Sequence, residues 1–315
     1  SFIVANDFGT IDMDESSVGD EWNSGEVLAV TLVDQDLNKN TLSDEDMTLS
    51  GHPSLIPSLQ IGSPITLEST STIDAGTMTT IGTFNKIATI TGASVDTKNR
   101  YNQIDFVADT VADFRTSQTG SSFVFLNYDV SQVISTVTAV TLVDASGDAV
   151  TAAATTDLES GLVQLGATQA ASASIGETDS LRVNFTTSAA VHAATGEELY
   201  VDIFTYGDRV NNAIYRLLLE ESGDNTGVFE GTVEFIMLNQ LNFDKAATYN
   251  TLETVSDTID IIVHEDLTDE DSPRINYLDL GADGVSTQIA DQVEAPSHSG
   301  VVTFDNANYK TADTV

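Results

Sequence analysis

The sequence of 315 residues contains no cysteine and few basic residues. The lack of cysteine excludes disulfide bonds, thiolate zinc sites and cysteine nucleophiles, and it leaves the redox compartment undetermined. Eleven Lys and Arg residues stand against 49 Asp and Glu residues, which gives a formal net charge of −38 at pH 7. Such a charge repels phosphate backbones and anionic lipid headgroups. We therefore expect small cations as partners and no nucleic acid.

Long apolar segments are also missing. No apolar run reaches 18 residues, so we expect no direct membrane insertion by this segment. The first ten residues, SFIVANDFGT, have neither an initiator Met nor the layout of a signal peptide, and the last residues end where a strand pattern starts. These features predict a piece of a longer chain.

Short runs of Val, Ile, Thr, Phe and Tyr recur between Gly, Asn, Asp and Ser, and helical periodicity is nearly absent. This pattern predicts an all-β protein of the sandwich or barrel type. Residues 108–115 and 151–156 leave a helix open as an alternative, but neither has a long apolar stripe, so we interpret both as loops. The predicted strands are residues 27–33, 86–91, 103–108, 123–127, 137–143, 181–186, 199–205, 214–219, 228–237 and 259–263.

The clearest local signal lies in residues 213–238, where two apolar runs flank the sequence ESGDNTG. Gly223, Asp224, Asn225 and Gly227 are residue types that accept a positive φ or bond their own backbone. We therefore predict a β-hairpin with its reversal at these residues. The acidic residues of this hairpin, Glu220, Glu221, Asp224 and Glu230, are interpreted as residues of the turn and of the solvent-exposed face.

A weak internal repeat sets the predicted domain organisation. Residues 8–34, 161–185 and 300–315 each combine a short strand, a polar stretch and an acid-rich entry into another strand. The spacing of the second and third copies suits one β-sandwich per repeat. We predict an immunoglobulin-like sandwich at residues 1–160, a second at 161–299, and the first strand of a following repeat at 300–315.

The segment of residues 34–46, DQDLNKNTLSDED, is the best candidate site for a cation. Asp34, Asp36, Asn38 and Asn40 alternate like the oxygen ligands of a calcium loop. Lys39 stands where an EF-hand has glycine, and no helix pattern flanks the segment, so the segment does not match the EF-hand pattern. The four residues predict a site for Ca²⁺ or another divalent cation, and the alternative is a solvated acidic loop.

Other chemical motifs are weaker. Residues 264–273, HEDLTDEDSP, are either an acidic connector or a divalent-cation site without a definite ligand pattern. The four histidines are scattered, and no nucleophile elbow, phosphate-binding loop or dinucleotide fingerprint is present, so we predict no enzymatic activity.

Asn184 begins the sequon Asn-Phe-Thr and is a candidate glycosylation site, with an ordinary strand Asn as the alternative. Trp22 and the pairs Phe123/Phe125 and Phe204/Tyr206 are interpreted as packing residues.

Three segments resemble a known family: LVDQDLNKN, AIYRLLLEESGDNTGVFEGTVEF and VHEDLTDEDSPRINYLDLGADG are similar to the repeated domains of surface-layer proteins from ammonia-oxidising archaea. The Asp-x-Asp-Leu-Asn sequence at residues 34–38 and the Asn-Thr-Gly-x-Phe turn at 225–229 match this family. Residues 184–189, NFTTSA, depart from it, because the second copy lacks the acidic loop.

The resemblance implies an array of immunoglobulin-like sandwiches that self-associates into a porous, acidic two-dimensional lattice on the cell exterior and passes small cations such as ammonium. From the sequence we therefore expect a structural surface-layer segment at an extracellular location. The alternative is a cation-dependent extracellular adhesin, in which the acidic loop stiffens a repeat and another face binds a partner. Lattice formation distinguishes the two.

Overall fold

The computed structural model of the chain describes residues 8–19, 22–48, 56–62, 64–67, 83–86, 101–110, 121–129, 137–144, 149–153, 160–165, 180–187, 200–207, 210–237, 251–263, 272–281 and 284–295. Within these ranges the regular structure is β-strand apart from a single 3-10 turn at Glu15–Ser17, which confirms the all-β prediction. No helix in this part of the chain is long and apolar enough to cross a membrane.

The described residues form nineteen strands in three sheets. The strands of the first half of the chain are β1 Thr10–Asp14, β2 Leu28–Val33, β3 Ser58–Ile61, β4 Ile65–Leu67, β5 Thr83–Lys86, β6 Tyr101–Thr110, β7 Ser121–Asp129, β8 Val137–Asp144 and β9 Ala149–Ala153. Those of the second half are β10 Ser160–Leu165, β11 Ser180–Thr187, β12 Tyr200–Gly207, β13 Val210–Leu217, β14 Glu220–Glu221, β15 Val228–Met237, β16 Val255–Ser256, β17 Thr258–Val263, β18 Arg274–Leu280 and β19 Ser286–Gln292.

The first sheet has the order β1-β2-β15-β14, and β17 pairs in parallel with β15. Strand β2 shows why these residues form a half-buried strand. Leu28, Val30 and Leu32 alternate along it and are fully buried, whereas the intervening residues are less buried. Because successive side chains of a strand point to opposite faces, this alternation places one apolar face against the core.

The second sheet has the order β10-β7-β12-β13-β3-β18-β19, with β4 paired to β12 and β16 paired to β13. Strand β13 differs from β2, because residues 212–217 are all buried in succession. Both faces of this strand are therefore covered, and the polar side chains on it need partners inside the protein.

The third sheet has the order β5-β6-β11-β8-β9. Strand β11 pairs antiparallel with β6 on one side and with β8 on the other. The predicted strands at residues 103–108, 137–143 and 181–186 lie in this sheet and are confirmed. Of predicted strand 86–91, Lys86 ends β5 and residues 87–91 lie outside the described part of the chain.

The first and second sheets share one hydrophobic core, which gives the sandwich arrangement. Trp22 is 1% exposed, and its ring contacts Phe235 of β15 edge to face with a centroid separation of 4.8 Å. Such aromatic pairs contribute about 0.5–1.5 kcal/mol beyond the area that they bury. Phe125, Phe204 and Tyr206 are also fully buried, so their interpretation as packing residues is confirmed.

The predicted hairpin at residues 213–238 is correct at its reversal and wrong in its first arm. Glu220 pairs with Glu230 and Glu221 with Phe229, which closes a two-residue ladder next to the turn. The residues before them belong to β13, which pairs with β3 and β12 in the second sheet. The chain therefore changes sheets between β13 and β14, and Leu217 and Leu219 on either side of this change are both buried in the shared core.

Strand pairing crosses the predicted domain boundary between residues 160 and 161. Strand β2 pairs with β15, β3 pairs with β13 and β18, and β7 pairs with β10 and β12. The sandwich core is thus assembled from segments far apart along the chain. Residues 300–315, the predicted start of a third repeat, lie outside the described residues.

The two segments with a helical alternative are extended where the structure describes them. Residues 108–110 belong to β6, and residues 151–153 belong to β9. The interpretation of these residues as loops is therefore wrong, since both segments continue sheet ladders. Residues 111–115 and 154–156 lie outside the described ranges.

Candidate functional site

The acid-rich segment of residues 34–46, named here the acidic loop, leaves β2 and lies against the turn between β14 and β15. Backbone hydrogen bonds join the two at several points. The amide of Asp34 donates to the carbonyl of Gly227 over 2.9 Å, and the amide of Glu221 donates to the carbonyl of Glu45 over 2.9 Å. The side chain of Gln35 adds a 2.7 Å bond from Nε2 to the carbonyl of Thr226. The acidic loop and the turn therefore form one structural unit, named here the loop–turn junction.

The turn is held by the carboxylate of Glu221. Its Oε1 accepts hydrogen bonds from the amides of Thr226 at 2.8 Å and Gly227 at 2.7 Å, and its Oε2 accepts one from the amide of Glu45 at 3.2 Å. The bond from the Gly227 amide is the main reason why the pKa of Glu221 is lowered below its ordinary value of 4.5. Asn225 and Gly227 both have φ of 62°, so the turn requires residues that tolerate a left-handed backbone.

Asp34, the first predicted cation ligand, is turned into the protein. It is 4% exposed, its Oδ2 accepts a 2.6 Å hydrogen bond from the hydroxyl of Tyr277, and its Oδ1 accepts a 2.9 Å bond from the amide of Asp36. Burial raises the pKa of Tyr277, and the hydrogen bond and charge of Asp34 raise it further. The hydroxyl of Tyr277 is therefore a permanent donor, and Asp34 anchors the start of the acidic loop to β18.

Asn38 and Asn40, two further predicted ligands, face different partners. The Nδ2 of Asn38 donates to the Oδ1 of Asn225 in the turn over 3.1 Å, and the Oδ1 of Asn38 is buried without a hydrogen-bond donor among the described residues. The exposed Asn40 bonds locally, to Ser43 and to the amide of Leu42. Asp34, Asn38 and Asn40 thus bond to different partners. The described residues contain no group of three His, Cys, Asp or Glu residues that suits a metal. The four-residue cation site stays a prediction.

Glu45 was not among the predicted ligands, although the structure makes it prominent. Both of its carboxylate oxygens are buried and have no hydrogen-bond donor among the described residues. Its carboxyl group contacts that of Glu221, which lies 176 residues further along the chain. In the sequence Glu45 is one of three consecutive acids, so no local signal separates it from its solvent-facing neighbours Asp44 and Asp46.

A second buried polar cluster lies within the second sheet. Arg216 of β13 donates from Nε and Nη2 to the two carboxylate oxygens of Asp202 on β12, at 3.1 and 2.7 Å. Their side chains are 8% and 2% exposed. Nearby, the hydroxyl of Thr254 donates to the Oδ1 of Asn127 over 2.6 Å. The sequence signals for this cluster are an acid in β12 and a base in β13, each next to apolar residues.

The remaining sequence-based candidates fall largely outside the described residues. This applies to residues 264–271 of the second acidic segment and to the four histidines, His52, His192, His264 and His298. The backbone of Asn184 lies in β11 and pairs with Gln103 and Thr141, and its side chain is outside the described part.

A scan against protein-family models finds no match to this chain, and a search of curated proteins finds none either.

Proposed function

We propose that this chain is a non-enzymatic structural segment of a surface layer on the cell exterior. The observation that carries the proposal is the combination of an all-β scaffold with 49 acidic and 11 basic residues. The similarity of the three segments to surface-layer repeats supports the same function. In this proposal the chain forms tandem immunoglobulin-like sandwiches and associates with copies of itself.

The proposed role of the charge is to admit small cations such as ammonium. An exposed charge acts over about 10 Å at 0.1 M salt and over about 3 Å at 1 M salt. Acidic walls around openings of that size enrich cations and exclude anions without a high-affinity pocket. Such selectivity is electrostatic and weakens as ionic strength rises.

Two measurements test this proposal. Electron microscopy of the full-length protein, with and without divalent cations, is expected to show ordered sheets formed through several distinct faces. Flux across such sheets should favour a small cation over an anion of matched size at low salt, and the preference should shrink at high salt. Equal permeability at low salt contradicts the cation-passing role, and failure to form sheets contradicts the lattice.

A second candidate function is a cation-dependent extracellular adhesin. The packing of the acidic loop on the turn favours it, because a cation held by this loop would stiffen the repeat while another face binds a partner. An adhesin array remains a monomeric rod, whereas a surface-layer segment self-associates. Sedimentation of the full-length protein over a range of calcium concentrations separates the two functions.

A further inference from the structure

Strand β19 ends the second sheet, and most of its side chains are exposed to solvent. It pairs with β18 along all seven of its residues. Ser286, Thr287, Gln288 and Ala290 are exposed, and Ile289 is partly buried against the core. A strand at the end of a sheet presents a row of backbone N–H and C=O groups that can pair with another strand.

The hydrogen bonds at the start of the β18–β19 ladder determine which backbone groups of β19 point outward. The amide of Gly281 donates to the carbonyl of Val285 over 3.2 Å. Hydrogen-bonded and non-hydrogen-bonded pairs alternate along an antiparallel ladder. Alternation from this pair directs the backbone groups of Ile289 toward β18, and it directs those of Gln288 and Ala290 toward the outer edge.

The strands of the first sheet differ from β19, because other parts of the chain cover their edges. The amide of Met13 in β1 donates to the carboxylate of Asp291 over 2.7 Å, and the acidic loop makes a β-bridge to Glu220 of β14. The amide of Asp260 in β17 donates to the carbonyl of Glu253 over 2.6 Å. Strand β19 contains neither Lys nor Pro, the residues that commonly block an edge. Its outer edge is therefore suited to strand pairing.

The charge of the chain restricts where two copies can meet. With a formal net charge of −38, two copies repel each other unless the surfaces in contact carry little charge. Residues 286–290, STQIA, are uncharged. The single acid of β19, Asp291, has its carboxylate bonded to the Met13 amide. A second copy can therefore approach this edge without bringing like charges into contact.

The sequence of β19 is also compatible with antiparallel pairing to itself. When two β19 strands pair over their full length, Ile289 lies opposite Ile289 of the second copy, Gln288 lies opposite Ala290, and Thr287 lies opposite Asp291. The outward backbone groups of Gln288 and Ala290 then face each other. No two acids are opposite, and like charges at opposite positions would destabilise the pair.

We propose that the outer edge of β19 is a self-association surface, at which the β19 strands of two copies pair antiparallel about a twofold axis at Ile289. This pairing joins the second sheets of the two copies into one continuous sheet. The inference rests on the proposed self-association of the chain and names the surface of one contact. One pair of strands buries less than the roughly 800 Å² per partner of a standard interface. The contact is therefore weak alone and gains strength when other faces also associate.

The absence of cysteine from the chain makes disulfide cross-linking a direct test. Ile289→Cys places two thiols in a non-hydrogen-bonded pair with Cα atoms about 4.5 Å apart, which permits a disulfide. Thr287→Cys is the matched control, because the two copies of this position are about 13 Å apart in the same register. Under mild oxidation in about 0.5 M NaCl, which screens the net charge, Ile289→Cys should form a covalent dimer severalfold faster than Thr287→Cys.

A second measurement avoids the partly buried Ile289. Gln288→Cys and Ala290→Cys, both at exposed positions, should cross-link faster when mixed than either variant does alone, because these positions face each other across the axis. In the Ile289→Cys background, Ala290→Pro removes an outward N–H and should slow cross-linking severalfold, whereas Ala290→Ser should not. Circular dichroism checks that each variant is folded.

Electron microscopy of the parent separates failure of this surface from failure of the proposed function. If the parent forms sheets, yet Ile289→Cys cross-links no faster than Thr287→Cys and mixing gives no gain, the β19 surface is wrong and the lattice stands. If Ile289→Cys cross-links selectively and the parent forms no sheets, the β19 surface is supported and the lattice is contradicted. Absence of both selective cross-linking and sheets overturns both.

Discussion

The second sheet and the loop–turn junction both bury carboxylates, and they neutralise them in different ways. Asp202 in the sheet faces the guanidinium of Arg216, whereas Glu221 at the junction is bound by backbone amides and its carboxyl group contacts that of Glu45. The sequence has 11 basic residues for 49 acids, so side-chain cations cannot serve most carboxylates.

Backbone geometry explains the difference. In the middle of a sheet the amides are committed to the ladder, so a buried carboxylate there needs a basic side chain. At a turn the amides of Thr226 and Gly227 are free of the ladder and converge on Glu221.

The largest expected effect comes from breaking the ion pair of the second sheet. Arg216→Met leaves the charge of Asp202 buried without its base and should lower the free energy of unfolding by about 3–5 kcal/mol. Urea denaturation in chelator measures this change. Arg274→Met, at an exposed position of β18, is the control and should change little. An equal loss in both variants contradicts the role of the pair.

The bond between Tyr277 and Asp34 is expected to have the next largest effect. Tyr277→Phe removes the donor from a buried carboxylate, and hydrogen bonds to charged groups contribute about 1.5–3 kcal/mol. A double-mutant cycle with Asp34→Asn isolates the interaction. The cost of Tyr277→Phe should be smaller when residue 34 is already Asn. Additive losses in the cycle mean that the two side chains do not interact energetically.

Glu221→Gln tests how much the backbone amides of the turn stabilise a carboxylate. The substitution removes the charge that the Thr226 and Gly227 amides bind, so the melting temperature in chelator should fall. Because the pKa of Glu221 is lowered in the folded protein, its contribution is present above 4.5 and is lost as pH falls through the folded-state value. The difference from the parent should therefore shrink in acid. Glu220→Gln, an exposed neighbour, is the control.

The smallest expected effect has the opposite sign and concerns Asp260 of β17. Burial raises the pKa of this carboxyl group, the charge of Glu234 raises it further, and a bond from the amide of Glu253 lowers it. A raised folded-state pKa means that the ionised form costs stability as pH rises through it. Asp260→Asn should therefore raise the melting temperature slightly at pH 7 and change it little at pH 3. The exposed Asp12→Asn should show no such pattern, and a destabilised Asp260→Asn at pH 7 contradicts the assignment.

Local chemistry made part of this structure predictable. Strand β15 was predicted with the bounds that it has, Val228–Met237, because its residues favour strands and a glycine-rich turn precedes it. The reversal at residues 223–227 was predictable for the same reason, since a positive φ is a property of individual residues. The all-β class follows from the same short apolar runs.

Which strands and side chains pair with partners distant in sequence was decided by the tertiary structure alone. The pattern of residues 213–219 suits a hairpin arm, yet strand β13 is placed in the second sheet by its pairing with β3 and β12. Likewise Asp34 finds Tyr277, 243 residues away, and Glu45 finds Glu221, 176 residues away. Residue type and spacing determined where the strands and turns form. Which acid meets an arginine, an amide or another acid depends on how the sheets pack, because that packing alone brings the partners within hydrogen-bonding distance.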